Sequence, residues 1–119
     1  MTEEEKIQKA KEFLDSYTLY KSWLNANRYE RRYFGAAPDG DDAFLQAKMF
    51  LVRSLILSLP NLPEKLFLNC HYLRGHTVEK CAELMDISPR SAYRLKKKAL
   101  LLVSRALEEK AAQTEPSSF

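Results

Sequence analysis

Glycine and proline are scarce in this 119-residue chain, at three and five, and that scarcity excludes the frequent tight turns an all-β domain needs. Cysteine is scarcer: Cys70 and Cys81 cannot build the disulfide framework of a small secreted domain. Long apolar runs are missing as well. The most apolar stretch, Phe44 to Leu59, contains Lys48 and Arg53 and falls short of the ~20 residues that span a bilayer. The opening MTEEEKIQKAKE is polar where a signal peptide would be apolar. The expectation is a cytoplasmic chain with reduced thiols and no membrane contact. Catalytic signatures are also lacking: there is no Gly-rich phosphate loop, no Gly-x-Ser-x-Gly elbow and no His-Glu-x-x-His. Neither histidine has an evident nucleophile partner, so no enzyme activity, catalytic residue or cofactor is expected. Cys70, His71, His76 and Cys81 can be written as a metal set. Their spacing lacks the close pairing of structural zinc sites, and both cysteines fall on apolar helix stripes. Packed core thiols and no metal are therefore expected.

What is present is 45% hydrophobic and 29% charged residues, the composition of a folded chain whose length suits one compact domain or a small domain with an accessory segment. From Glu3 to about Asn27 the apolar residues Ile7, Ala10, Phe13, Leu14, Tyr17, Tyr20 and Leu24 recur every three or four positions, which predicts one amphipathic helix. Thr2 can cap it, and NRYERRYF can extend it to Gly35. The turn residues of GAAPDGDD mark a loop. A second helix follows from Asp41 or Asp42 to about Ser58, because Pro60 disfavours helix in the residue before it. Its apolar residues, among them Phe44, Phe50, Leu51, Leu55 and Leu57, surround the axis, so it must be buried on several sides. A second copy of the chain and a central position in a monomer are both open as its cover.

Three further helices are predicted beyond Pro60. The first has Pro63 in its opening turn and runs to Gly75, with Leu66, Phe67, Cys70 and Leu73 on one face. The second is short, capped by Thr77, with Val78, Cys81, Ala82 and Met85 inward. The third starts from Ser88 and Pro89 and ends near Lys110, leaving residues 111–119 as a flexible tail.

The net charge is only +3, but it is unevenly placed. Residues 61–119 carry ten bases against seven acids, and Arg90, Arg94, Lys96, Lys97 and Lys98 form a nine-residue window without an acid. A short helix, a turn at Asp86 and Ile87, and a second helix from Ser88 is the build of a helix-turn-helix. At about 100° per residue, Ala92, Leu95, Ala99, Leu102, Val103 and Ala106 form one stripe. Arg90 and Lys97 lie opposite it, Arg94 beside them, and Ser91, Tyr93 and Lys98 on the flanks. Five like charges without interleaved acids favour a polyanion partner over a merely solvated face. Leu100, Leu101 and Leu107 lie off the stripe and need cover from the N-terminal helices or a second subunit.

The stretch LPEKLFLNCHYLRGHTVEKCAELMDISPRSAYRLKKKALLLVSRAL resembles region 4 of the sigma-70 family, and is more similar still to short phage and prophage regulators of the ArpU and RinA type. Tyr72 to Gly75, Thr77, Ala82, Leu84, Ile87, Ser88, Tyr93, Arg94, Leu95, Ala99 and Leu100 carry the likeness, over roughly the last half of the chain. The resemblance implies an all-α protein in which an N-terminal helical pair (1–59, an oligomerisation or docking segment) precedes a sigma-70 region 4-like helix-turn-helix domain (61–110). It also implies sequence-specific binding of double-stranded DNA and control of transcription in a bacterium or its phage. Thr77 would then meet a phosphate, and Arg90, Ser91, Arg94 and Lys97 would take the recognition-helix positions; Ser88, Tyr93 and Lys98 complete the expected DNA-binding set. Two departures stand out: Asp86 occupies a turn position where Gly is frequent, and Cys81 stands where a larger aliphatic is usual. The first 60 residues show no promoter-melting or core-polymerase region. A homo-oligomer, with a dimer favoured, is expected as the assembly. Docking onto RNA polymerase, or DNA gripping by a phage packaging protein, are the alternatives. The aromatics Tyr17, Tyr20, Trp23, Tyr29, Tyr33 and Phe34 are expected in the core, and Arg28, Arg31 and Arg32 as a secondary phosphate contact.

Overall fold

The computed structural model describes residues 2–35, 41–60 and 62–114, and these are all-helical, with no strand among them. Helix α1 spans Glu3–Phe34. Thr2 Oγ1 accepts the Glu5 amide at 3.2 Å, and three glutamates in the first turn suit the positive end of the helix dipole. Gly35 ends the helix at φ 67°, a left-handed conformation that needs no Cβ to be accommodated. The predicted loop at 36–40 lies outside the described residues.

Helix α2, Asp41–Ser58, returns antiparallel along α1. Arg53 donates to the Tyr17 hydroxyl at 2.8 Å, and Asn27 donates to Asp42 at 3.2 Å. Asp42 also pairs with Arg31, whose hydrogen bond holds its carboxyl below the usual range. Asp42 is thus tied to α1, and the first helical residue of α2 is Asp41.

After Pro60 the chain forms α3, Pro63–Leu68, which passes without a break into a π-helical turn at Asn69–Leu73. The Arg74 amide donates to the Asn69 carbonyl at 3.0 Å. The wider turn changes the predicted face: Phe67, Leu68, Cys70 and Tyr72 are buried and Leu73 is half-buried. Leu66, expected inward, is exposed. Helix α4 is Val78–Met85 and α5 is Pro89–Thr114. The last helix therefore continues past Lys110 into the segment expected to be a tail, of which 115–119 lie outside the described residues.

One hydrophobic core joins all five helices. Ala10, Leu14 and Tyr17 of α1 meet Val52, Leu55 and Ile56 of α2, Phe67 of α3, Cys81 and Ala82 of α4, and Ala92, Ala99, Leu100 and Val103 of α5. Burial of these apolar side chains is the main driving force holding α5 to the body. Packing of α1 on α5 buries Leu100, and Leu101 shares a groove with Glu3 and Lys6, so the N-terminal helix supplies the cover these leucines required.

The other half of the N-terminal hairpin departs from expectation. Trp23, Tyr29, Tyr33 and Phe34 are exposed rather than in the core, and so are Phe44, Phe50, Leu51 and Leu57 of α2. For all of these but Leu57 the reason is geometric: beyond Tyr17 and Val52 the two helices project past the other three, and only Leu24 and Leu45 are buried along that length. Leu57 lies at the core end of α2 but on the side of the helix turned away from Leu55 and Ile56. Arg31 is committed to Asp42, and Arg32 lies over the Tyr33 ring at 5.7 Å. No helix among the described residues is long and apolar enough to cross a membrane.

Candidate nucleic-acid interface

The site begins with two helix starts. Thr77 Oγ1 accepts the Lys80 amide at 3.1 Å and so opens α4. Ser88 Oγ accepts the Ser91 amide at 3.1 Å and donates to Ser91 Oγ at 2.9 Å, while Pro89 takes the first helical position of α5, where no amide is missed. Thr77 and Ser88 are thus structural as well as exposed.

Between the two helices, Asp86 adopts φ 58° and ψ 46°. Its amide donates to Glu83 O at 3.2 Å and the Ile87 amide donates to Ala82 O at 3.0 Å, the paired bonds of a Schellman end. Asp86 therefore takes the left-handed conformation in which glycine is favoured, and a short polar side chain is among the few that tolerate it. Ile87 then turns back onto the core.

Helix α5 leaves this turn with two unlike sides. Ala92, Ala99 and Val103 are fully buried, and Leu95, Leu102 and Ala106 pack partly buried beside them. Arg90, Ser91, Tyr93, Arg94, Lys97 and Lys98 are all exposed on the remaining surface. Ser91, Arg94 and Lys98 line one shallow groove of about 340 Å³ together with Pro63 and Ile87.

The other flank is different. The Tyr93 hydroxyl donates to Glu79 Oε1 at 2.8 Å, which lowers the Glu79 carboxyl below its ordinary range and raises the Tyr93 phenol. Lys97 Nζ lies 3.2 Å from Glu3 Oε1, with both side chains largely exposed. The cationic window thus does meet acids: Glu79 from α4 and Glu3 from α1 stand at its margins. No local signal in the sequence could have found them, because both contacts arise from tertiary packing. Arg90, Arg94 and Lys98 have no ion-pair partner among the described residues.

This arrangement suits a polyanion. A guanidinium fork can engage guanine edges bidentately, whereas lysines and helix-terminal hydroxyls hold phosphates. An exposed pair such as Lys97–Glu3 is weak and screened by salt, so a phosphate can displace the carboxylate.

The residues that look chemical sit elsewhere. Cys70 and Cys81 are free and buried, and burial together with the neighbouring Cys70 pushes the Cys81 thiol up. With the proton on Nδ1, His71 donates to the His76 carbonyl at 2.7 Å, and burial lowers its pKa. Burial likewise pushes the Tyr72 phenol up to about 12. Among the described residues, no group of three or more His, Cys, Asp or Glu side chains is placed to hold a metal ion.

The sequence matches no family model, and no curated protein or solved structure matches it either.

Proposed function

We propose that this chain is a sequence-specific double-stranded DNA-binding protein that regulates transcription in the bacterial cytoplasm, of the phage or prophage kind that its sequence resembles. It acts by binding, without catalysis or a cofactor. Residues 61–110 are the reader, a helix-turn-helix in which α4 lies across the backbone and α5, from Ser88 onward, enters the major groove. Residues 1–59 serve oligomerisation or docking.

One observation supports this reading above the others: Arg90, Arg94 and Lys98 are exposed and, among the described residues, without ion pairs on the first turns of α5, while the opposite side of the same helix is anchored in the core. A helix built only to pack has no need of three exposed, unpaired cations there. Arg90 and Arg94 are the base readers, with Ser91 and Tyr93 beside them. Thr77, Ser88, Lys97 and Lys98 hold phosphates.

Docking onto RNA polymerase is the second reading, and a specific feature favours it. Leu62, Pro63, Leu66, Met85 and Ile87, with Lys65 and Asn69, line a largely apolar groove of about 580 Å³ beside the α4–α5 turn. A duplex-binding assay separates the two, since docking alone predicts little affinity for DNA. Titrating labelled duplex at several salt concentrations provides the test. Replacing Lys97 or Lys98 by Ala is expected to weaken all duplexes alike and reduce the slope of log affinity against log salt by about one for each phosphate no longer neutralised. An unchanged slope in both variants contradicts the phosphate-binding role assigned to these lysines.

A further inference from the structure

We infer that the outer face of α2 is a self-association surface that pairs with the same face of a second copy of this chain. This rests on the oligomerisation role proposed for residues 1–59; it is measured without DNA, so its failure leaves the DNA-binding reading standing.

The molecule is not fully compacted on its own. Its radius of gyration is 16.7 Å, against roughly 13–14 Å for a compact domain of this length. It measures 49 × 47 × 24 Å, and beyond Tyr17 and Val52 the α1–α2 hairpin adds only the partly buried Met49 to the shared core among the described residues. Two helices alone cannot bury the apolar residues of both, and bundles of four supply the missing layer.

The surface left open is large and apolar. Phe44, Phe50, Leu51 and Leu57 are 53%, 66%, 46% and 55% exposed. Aromatic side chains present roughly 150–250 Å² each and leucines somewhat less, so these four leave roughly 350–400 Å² uncovered on each copy. Two such faces contribute roughly 700–800 Å², below the ~1,200 Å² of a standard specific interface, which makes the pair a weak and reversible one.

The chemistry of the face points to a second copy rather than a foreign protein. At about 100° per residue, the arc holding these four residues also carries Ala47 and Ser54 and no charged side chain of α2 itself; Lys65 of α3 reaches its C-terminal end, donating from Nζ to the Leu57 carbonyl at 3.0 Å. A charged partner gains nothing there, whereas two identical uncharged faces meet without repulsion and without burying an unpaired ion. Small residues set between large ones let one helix's side chains seat in the other's gaps. The two cations at the edges of this arc are drawn onto aromatic rings of their own chain, Lys48 over Phe44 at 5.4 Å and Arg53 over Tyr17 at 5.9 Å.

Sedimentation velocity of the full chain, from micromolar to hundred-micromolar concentration, tests this. The expected species has twice the 13.8 kDa chain mass. Phe50→Glu and Leu57→Glu each weaken association about tenfold or more. Because both side chains are exposed in the single chain, far-ultraviolet circular dichroism stays unchanged. Leu84→Glu, at an exposed leucine of α4, leaves association intact. A monomer throughout the range overturns the inference and leaves the face to a foreign partner. A dimer that ignores Phe50→Glu and Leu57→Glu, or that Leu84→Glu disrupts equally, overturns it too.

Discussion

Alanine at Arg90 or at Arg94 is expected to raise the Kd for a selected duplex by roughly five- to 150-fold, the equivalent of the ~1–3 kcal/mol that a bidentate arginine–base contact carries. The loss should be smaller on random duplex, so discrimination between sequences relaxes. Neither arginine has an ion-pair partner among the described residues, and both are exposed, so the melting temperature should not move. Binding by fluorescence anisotropy and melting by circular dichroism check the two halves of this expectation. An equal loss on selected and random duplexes would reassign both residues to the phosphate backbone.

The largest effect on stability is expected at Phe67. It is completely buried, is the largest fully buried side chain described, and its ring lies 5.4 Å from that of His71. It belongs to α3, which packs against α5 and so seats the helix that carries the basic face. Phe67→Ala removes an aromatic volume that the surrounding helices cannot fully close, at a cost of about 3–5 kcal/mol. Against a total stability of ~5–15 kcal/mol, this brings the chain close to unfolding at physiological temperature. Urea denaturation measures it, and a change below about 1 kcal/mol would contradict the packing described for Phe67. A DNA-binding defect in this variant should disappear when folding is restored by cooling or osmolyte, unlike the defect at Arg90.

Much of this architecture is legible in the sequence alone. Thr2, Pro63, Thr77 and the Ser88–Pro89 pair mark helix starts through local chemistry that tertiary packing does not override. The apolar stripe of α5 is equally readable, because a 3.6-residue period over four turns leaves only one inward face. Other features depend on distance. The π-helical turn at Asn69–Leu73 has no local signature, and it exposes Leu66 against expectation. Trp23, Tyr29, Tyr33 and Phe34 look like core residues by type. They are exposed because the hairpin outruns the body, which no periodicity reveals. The carboxylates that edge the basic face have the same invisibility: Glu3 reaches Lys97 only because α1 packs on α5. Asp86 is the reverse case, a departure from the resembled pattern that preserves the turn, since its backbone adopts the conformation glycine would have supplied.

Engagement of duplex DNA by the exposed side of α5 is the central claim. Amide chemical-shift mapping of the isotopically labelled full chain, titrated with a duplex selected from a random pool, tests it most directly. Perturbed amides are expected to gather at Thr77 and along Ser88 to Lys98, with the outer face of α2 unaffected. Perturbations confined to Leu62, Leu66 and Met85, or spread over the molecule without a focus on α5, would contradict it.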